Sequence, residues 1–223
     1  MSSYGDDLYL HSAHPTHAHD AVFFGPDSYR FARLIADELR GFTPDARILD
    51  IGTGTGIGAI VAKRCLPGAT LTATDINPLA LAYARVNAEV AGLELATFLS
   101  PDLECIEEDA DIVLANPPYI TDPLKRAYRD GGGAHGTEVA LRMAAMAVER
   151  LKPHGKFVLY SGSAIVDGHD RFEQALAGLA NKAGCKLRYR ELDPDVFGEE
   201  LVNEAYRDVE RIAVVAAVLE RDV

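Results

Sequence analysis

Asn116-Pro117-Pro118-Tyr119 is the tetrapeptide whose residue types carry the most chemistry in this chain. Asn116 and Pro117 each precede a proline and are pushed toward extended backbone, so the chain leaves this point stiffly. Neither proline has an N–H; the Pro117 carbonyl is an acceptor in a rigid frame, and the Asn116 side-chain oxygen is another. Two acceptors close together suit a planar –NH2 group whose lone pair is delocalised into an amide or an aromatic ring. Gripping both N–H bonds favours a more tetrahedral nitrogen and aims its lone pair at an electrophile. No strong base is needed beforehand, because the nitrogen becomes cationic first and sheds its proton afterwards. Tyr119 can lie against the planar group. The plainer reading is a rigid strand exit without chemistry.

The other constellation is RILDIGTGTGIGAI, an apolar strand, then Asp50-x-Gly52-x-Gly54-x-Gly56, then the start of a helix. Glycine at these positions lets the turn take positive φ and lets backbone amides approach a ligand. The run also satisfies a loose dinucleotide fingerprint through Gly54, Gly56 and Ala59. Asp50 decides between the two readings, since a carboxylate at the strand end repels the pyrophosphate that a dinucleotide brings to such a loop. S-adenosylmethionine carries an ammonium and a sulfonium and no phosphate, so an acidic residue at the loop mouth attracts it. Asp75 ends the next strand, well placed to accept bonds from both ribose hydroxyls.

Other chemistry-bearing residues read as structural. His11, His14, His17 and His19 match no zinc spacing and have no cysteine beside them, so no metal site is expected and the segment reads as a flexible or partly docked arm. His135 is a candidate either for approaching substrate or for capping the helix after it. Glu138 and Arg142 are spaced as a helix-surface ion pair. Cys65, Cys105 and Cys185 are odd in number and unpaired in spacing, as expected of reduced core thiols in a cytoplasmic protein. A net charge of −12 disfavours a broad grip on a phosphate backbone. Two local clusters remain, Lys125/Arg126/Arg129 in a loop and Lys186/Arg188/Arg190 along a strand, and both read as solvated surface.

The elements that must position these residues alternate between short apolar β-branched runs and helical patterns, the signature of a parallel sheet covered on both faces. Strands are expected at Arg47–Ile51, Thr70–Asp75, Leu95–Leu99, Asp111–Ala115, Gly155–Ser161, Lys186–Leu192 and Arg211–Leu219. Helices are expected at Pro78–Ala91 behind an Asn77 cap, at about Thr137–Leu151, and at about Asp170–Ala183. Residues 193–208 are polar and contain Pro194 and Gly198, so the closing strand should run antiparallel to its neighbours. Residues 120–136 form a long loop with Gly131 to Gly133, of a length that is usually functional or mobile. With 48% apolar residues the 223-residue chain can bury one sizeable core. It contains neither a secretory signal nor a membrane-spanning run.

From Asp45 to Ser161 the chain resembles the class I methyltransferases: Asp50 to Gly56 is similar to their glycine-loop motif, and Asp75 is similar to the acidic residue that ends their next strand. NPPY after the fourth strand is similar to the amino-methyltransferases of nucleic-acid bases and of release-factor glutamine. The nearest likeness is to the HemK or PrmC type, through NPPYI and through GGGAHGTEVALRMAAMAVERLKPHGKFVLY. This resemblance implies a Rossmann-like α/β fold with a seven-stranded, mostly parallel sheet, an antiparallel last strand and helices on both faces. It divides the chain into an N-terminal arm and helix, residues 1–45, and a methyltransferase domain, residues 46–223. It implies S-adenosylmethionine as cofactor and S-adenosylhomocysteine as product, with Asp50, Gly52, Thr53, Gly54, Gly56, Asp75, Ile76, Asp102, Leu103 and Asn116 holding the cofactor and Asp102 facing adenine. It makes Asn116, Pro117 and Tyr119 catalytic and adds Pro118 to the substrate contacts. VFFGPDSYRFARLI is similar to the family's stretch preceding the fold, which puts Pro26 to Ser28 near the cofactor. Tyr160 departs from the pattern, standing where the glutamine branch often has a carboxylate. The implied partner is a protein glutamine, with a nucleic-acid base amine as the alternative enzyme substrate and a catalytically silent cofactor-binding scaffold as the alternative of another class.

Overall fold

The structure, a computed structural model, describes residues 1–16 and 18–222, so His17 and the expectation about it lie outside the described residues. The chain opens with a hairpin, β1 (Ser2–Tyr4) and β2 (Asp7–Tyr9), and then α1 (Pro26–Glu38). An alternating run follows: β3 (Arg47–Ile51), α2 (Ile57–Cys65), β4 (Thr70–Asp75), α3 (Pro78–Val90), β5 (Ala96–Leu99) and β6 (Ala110–Ala115). After the long loop come α4 (Glu138–Glu149), β7 (Leu151–Val166), the short β8 (His169–Asp170), α5 (Arg171–Lys182), β9 (Cys185–Asp193) and β10 (Arg211–Arg221).

The main sheet has the order β5-β4-β3-β6-β7-β10-β9, with β8 pairing with the end of β7. The pairings from β5 through β7 are parallel, and β10 is antiparallel to both its neighbours. Adjacent residues on the central strands point to opposite faces, as the two-residue strand period requires. Ile48, Ile112, Leu114, Ile212 and Val214 pack with α1 and α2 on one face, whereas Leu49, Val113, Ala213 and Val215 pack with α4 and α5 on the other. Each of the Ile, Leu and Val side chains among these, fully withdrawn from water, contributes about 2 kcal/mol. Helix starts follow local chemistry: the Asn77 side chain accepts from Leu79 N at 2.9 Å, and Asp170 accepts from Glu173 N at 2.9 Å.

Two local expectations need correcting, and of the two states open for the N-terminal arm the docked one is found. Leu151, expected as the end of a helix, is the first residue of β7, and the ladder with β6 shifts register across Pro153, which cannot donate a ladder bond. Cys105 is exposed in a turn, so it is no core thiol. The N-terminal arm is docked: Asn87 on α3 accepts from Leu10 N at 2.7 Å and donates to Leu10 O at 3.1 Å, and Arg64 holds Asp7 through two bonds. His11 is part of the docking, bonded to Ser2 Oγ and stacked on Phe24. Among the described residues no helix is long and apolar enough to cross a membrane, and no three potential ligands gather around a point that could hold a metal.

Candidate active site

Because β3, β4 and β6 run parallel, their carboxyl ends open on one edge of the sheet, where ligands of such folds settle. A cavity of about 330 Å³ lies there, within the range of small-molecule sites. The glycine loop after β3, residues 75–77 after β4 and residues 116–120 after β6 form its floor, and segments before and within α1 form its roof. Among the residues singled out above, Asp50, Gly52, Thr53, Gly54, Asp75, Ile76, Asn116, Pro117, Pro118 and Tyr119 all line it. Gly56 stands just behind, and Asp102 and Leu103 lie outside. Leu103 is buried in the core, and Asp102 accepts from Ser100 Oγ and Glu104 N, stabilising the turn after β5. Ser100 and Pro101 reach the cavity instead.

At one end of the cavity the chain turns through Gly52, Gly54 and Gly56 with φ of 66°, 55° and 82°, values that side-chain-bearing residues rarely adopt. Asp50 does not sit at the loop mouth as expected. It is 1% exposed, and one of its oxygens accepts from Thr53 Oγ1 at 2.6 Å and from Ala59 N at 3.1 Å, clamping the loop to the first turn of α2. Gly58 makes this possible, because a Cβ there would stand 2.8 Å from the carboxylate. A glycine inside a helix costs about 1 kcal/mol relative to alanine, so its presence there is the signal in the sequence that could have revealed the buried carboxylate. Burial pushes the Asp50 carboxyl up to about 7; the Thr53 and Ala59 bonds oppose that rise, and the negative charge of Asp75 adds to it. Asp75 is also raised by burial, although Gly54 N and Asn77 N both donate to it at 2.9 Å. Two carboxylates thus share this end, and the groups that perturb Asp50 include no cation.

At the other end the Tyr119 ring is 7% exposed and lies on the backbone of β7, where a Cβ at Gly162 would come within 2.2 Å of it. Phe197 and Tyr160 meet the ring edge-on, with centroids at 5.8 and 6.5 Å. The Tyr119 hydroxyl donates to Asp27 at 2.9 Å, and the Tyr160 hydroxyl donates to the other Asp27 oxygen at 2.7 Å. Burial first, and then the charge of Asp27, hold both phenols far above their ordinary values, so both stay protonated. Asp27 and Ser28 line the cavity. Glycine in a strand interior signals close approach of another group, so Gly162 was legible in principle, whereas the role of Asp27 depends on residues far from it in sequence.

The loop over residues 120–136 is ordered by charge. Arg126 forks onto Asp122 with two bonds of 2.8 Å and holds the Asp122 carboxyl down at about 2. Lys125 pairs with Asp130 at 3.1 Å and Arg129 pairs with Glu200. The basic cluster is therefore matched carboxylate by carboxylate, by Asp122 and Asp130 within the loop and by Glu200 outside it; Lys125 stays exposed as expected, whereas Arg126 and Arg129 are largely covered. Arg126 and Tyr128 also bind Thr16 O, joining the loop to the N-terminal segment, and Phe23 lies nearly parallel to Tyr128 at 6.2 Å. His135 faces neither the cavity nor a helix start; it stacks on Tyr206 and bonds Asp208 at 3.0 Å. Glu138 lies against Gly132 and Gly133, and Arg142 lines the cavity.

Comparison with known proteins places this geometry in context. The sequence profile of the methyltransferase small domain matches residues 17–177. A release factor glutamine methyltransferase of Deinococcus radiodurans is 31% identical over 192 residues, which cover 82% of this chain and 65% of that protein. A ribosomal protein L11 methyltransferase of Ralstonia pickettii is 37% identical over 137 residues, 61% of this chain and 39% of that one. The chain therefore spans less than two thirds of the length of these curated relatives. The crystal structure of a methyltransferase from Pyrococcus furiosus superposes with a TM-score of 0.62 at 18% identity, over 91% of this chain and 89% of that one, and shares its fold.

Proposed function

The chain belongs to the methyltransferase small domain family, and from that premise we propose that it methylates the side-chain amide nitrogen of a protein glutamine with S-adenosylmethionine as donor. The observation that carries this reading is one cavity with a buried and a half-buried carboxylate and a glycine turn at one end and Asn116 to Tyr119 at the other. The fit to the donor rests on charge. Asp50 and Asp75 both stand at this end of the cavity, and the donor's ammonium and sulfonium are counter-charges for them. When bound, S-adenosylmethionine supplies an electrophilic methyl group on sulfur. Gly52, Thr53 and Gly54 then hold its methionine part, Asp75 its ribose, and Ile76 with Ser100 and Pro101 its base.

The remaining work belongs to the acceptor end. Asn116 and the Pro117 carbonyl accept the two N–H bonds of the amide, and Tyr119, held on Gly162, supports its plane. Fixing a nitrogen in line with its electrophile removes orientational freedom before reaction, worth orders of magnitude in rate. The positive charge that forms on nitrogen develops beside acceptors and is lost with its proton after transfer.

The matched loop cations favour a protein acceptor over nucleic acid. Lys125, Arg126 and Arg129 each stand within 4.0 Å of a carboxylate, so they offer little counterion release on a phosphate backbone. A protein acceptor also accords with the release factor and ribosomal protein named among the relatives. The test is incubation with radiolabelled S-adenosylmethionine and, separately, purified bacterial release factor and tRNA. Label in a release-factor glutamine is expected, and label in tRNA alone overturns the acceptor. Absence of label in every acceptor, with the donor bound, restores the reading of a silent scaffold.

A further inference from the structure

Among the described residues Asp27 is the side chain that ties the first turn of α1 to the Asn116–Tyr119 turn, and within the helix it makes only a 3.8 Å ion pair with Arg30, which Asp193 also holds. The α1 helix is already anchored by Phe31, Ala32, Leu34 and Ile35, all at most 2% exposed, and by Arg30 on Asp193 at 2.7 Å. Nor does Asp27 cap the helix. The N-cap is Gly25, and the side chain that reaches back to the Gly25 N–H is that of Ser28, at 3.2 Å. Placing a carboxylate where its side chain is only 13% exposed costs solvation that a hydrophobic residue would not lose. Both its oxygens are instead spent on phenols, Tyr119 at 2.9 Å and Tyr160 at 2.7 Å.

We propose that Asp27 is a positioning residue for methyl transfer, acting through Tyr119: its carboxylate fixes the tilt of the ring against which the acceptor amide lies. The inference rests on the methyltransferase reading given above. Gly162 fixes how closely the ring approaches β7, and Phe197 and Tyr160 bound it edge-on, but none of them ties down the hydroxyl end against a swing of the side chain about its Cα–Cβ bond. The bond from the hydroxyl to Asp27 does, because the acceptor is itself held by Tyr160 and by the first turn of α1, whose amide dipoles favour a negative charge there. Loosening that bond leaves the donor pocket intact and blurs the placement of the nitrogen.

The test uses the full chain, S-adenosylmethionine and purified release factor. Asp27→Asn keeps the shape and one oxygen acceptor. It is expected to lower kcat about tenfold while the Kd for S-adenosylmethionine, read by calorimetry, moves less than about twofold. Tyr119→Phe should show the same split, and the double variant should lose no more than the worse single one, since both act on one bond. Losses that multiply in the double variant, or parent-like kcat in Asp27→Asn at an unchanged melting temperature, overturn the proposal. Should Asp27→Asn fail to fold, Tyr119→Phe decides alone: it keeps the ring and the Gly162 contact, and parent-like kcat in it is equally fatal. If the parent labels no release factor, the acceptor assignment has failed, and the inference is read by deuterium exchange instead. Asp27→Asn must then speed exchange at the Tyr119 and Ile120 amides about tenfold with the Gly54 amide unaffected, and equal rates overturn it.

Discussion

At the donor end of the cavity the fixing bonds join residues 3, 9 and 21 positions apart: Thr53 to Asp50, Ala59 to Asp50 and Gly54 to Asp75. At the acceptor end they join residues 92, 133 and 112 apart: Tyr119 to Asp27, Tyr160 to Asp27 and Thr16 to Tyr128. Two neighbouring parallel strands, with the turn and helix between them, suffice to form the donor end, whereas the acceptor end exists only once α1, β7 and the long loop have closed on one another. The two ends should therefore fail separately. Damage at the acceptor end spares donor binding, and damage at the donor end lowers affinity before it touches placement.

The largest effect expected from this difference is that of Asn116→Ala. Transfer should fall by about a hundredfold or more, the cost of losing one of two groups that place a reacting atom, with donor affinity within a few-fold of the parent. Equal losses in both, measured by single-turnover labelling and calorimetry, would show the ends to be one unit. Next comes Gly162→Ala, whose methyl must push the Tyr119 ring off β7. About a thirtyfold fall in kcat is expected without weaker donor binding, and a crystal structure with the ring unmoved would remove the explanation.

At the donor end, Asp50→Asn keeps an oxygen to accept from Thr53 and Ala59 but removes the charge. Donor binding should weaken about tenfold, the loss of a negative charge that stands behind the glycine turn, close to the cationic donor without touching it. Stability should move the other way. The folded carboxyl lies at about 7, above its ordinary value, so the stability it contributes is complete below pH 4 and lost as pH rises through 7. The donor-free Asn variant should thus match the parent near pH 4 and melt at least about 3 °C higher at pH 8, the shift that one kcal/mol makes in a chain of this size. A gap that is flat between those pH values would mean Asp50 is not raised.

The smallest effect is expected from Arg126→Gln, which opens the Asp122 fork and leaves Thr16 held by Tyr128 alone. KM for the protein acceptor should rise about threefold, an ordinary value for one paired surface cation, with the donor Kd constant. Asp122 is held at about 2, below its ordinary value, so the order it contributes to the loop is present above pH 4 and lost as pH falls through 2. Exchange in residues 120–130 should stay slow at pH 4 in the parent and be fast there in the variant.

Most of the framework was legible because its signals are local. β3 and β4 begin and end where their apolar runs do, Asn77 and Asp170 cap their helices, and the polar stretch before β10 foretold its reversal. The errors cluster where backbone irregularity or packing at a distance decides the outcome. Pro153 hid the start of β7 inside a helical pattern and Asp102 went to its own turn, while the choice between a flexible and a docked N-terminal arm was made by Asn87, a buried amide on α3 that has no local reason to be there.

What the order of residues determined by itself is the sheet, the glycine turn and the stiff exit at Asn116, because strand period, positive φ and the missing N–H of proline are properties of neighbouring residues. Only the tertiary structure decided that Asp50 is sealed inside its loop, that the loop cations spend their charge on Asp122, Asp130 and Glu200, and that Asp27 reaches Tyr119. Desolvation and charge pairing depend on what lies across space from a group, and in this chain those partners stand up to 163 residues away.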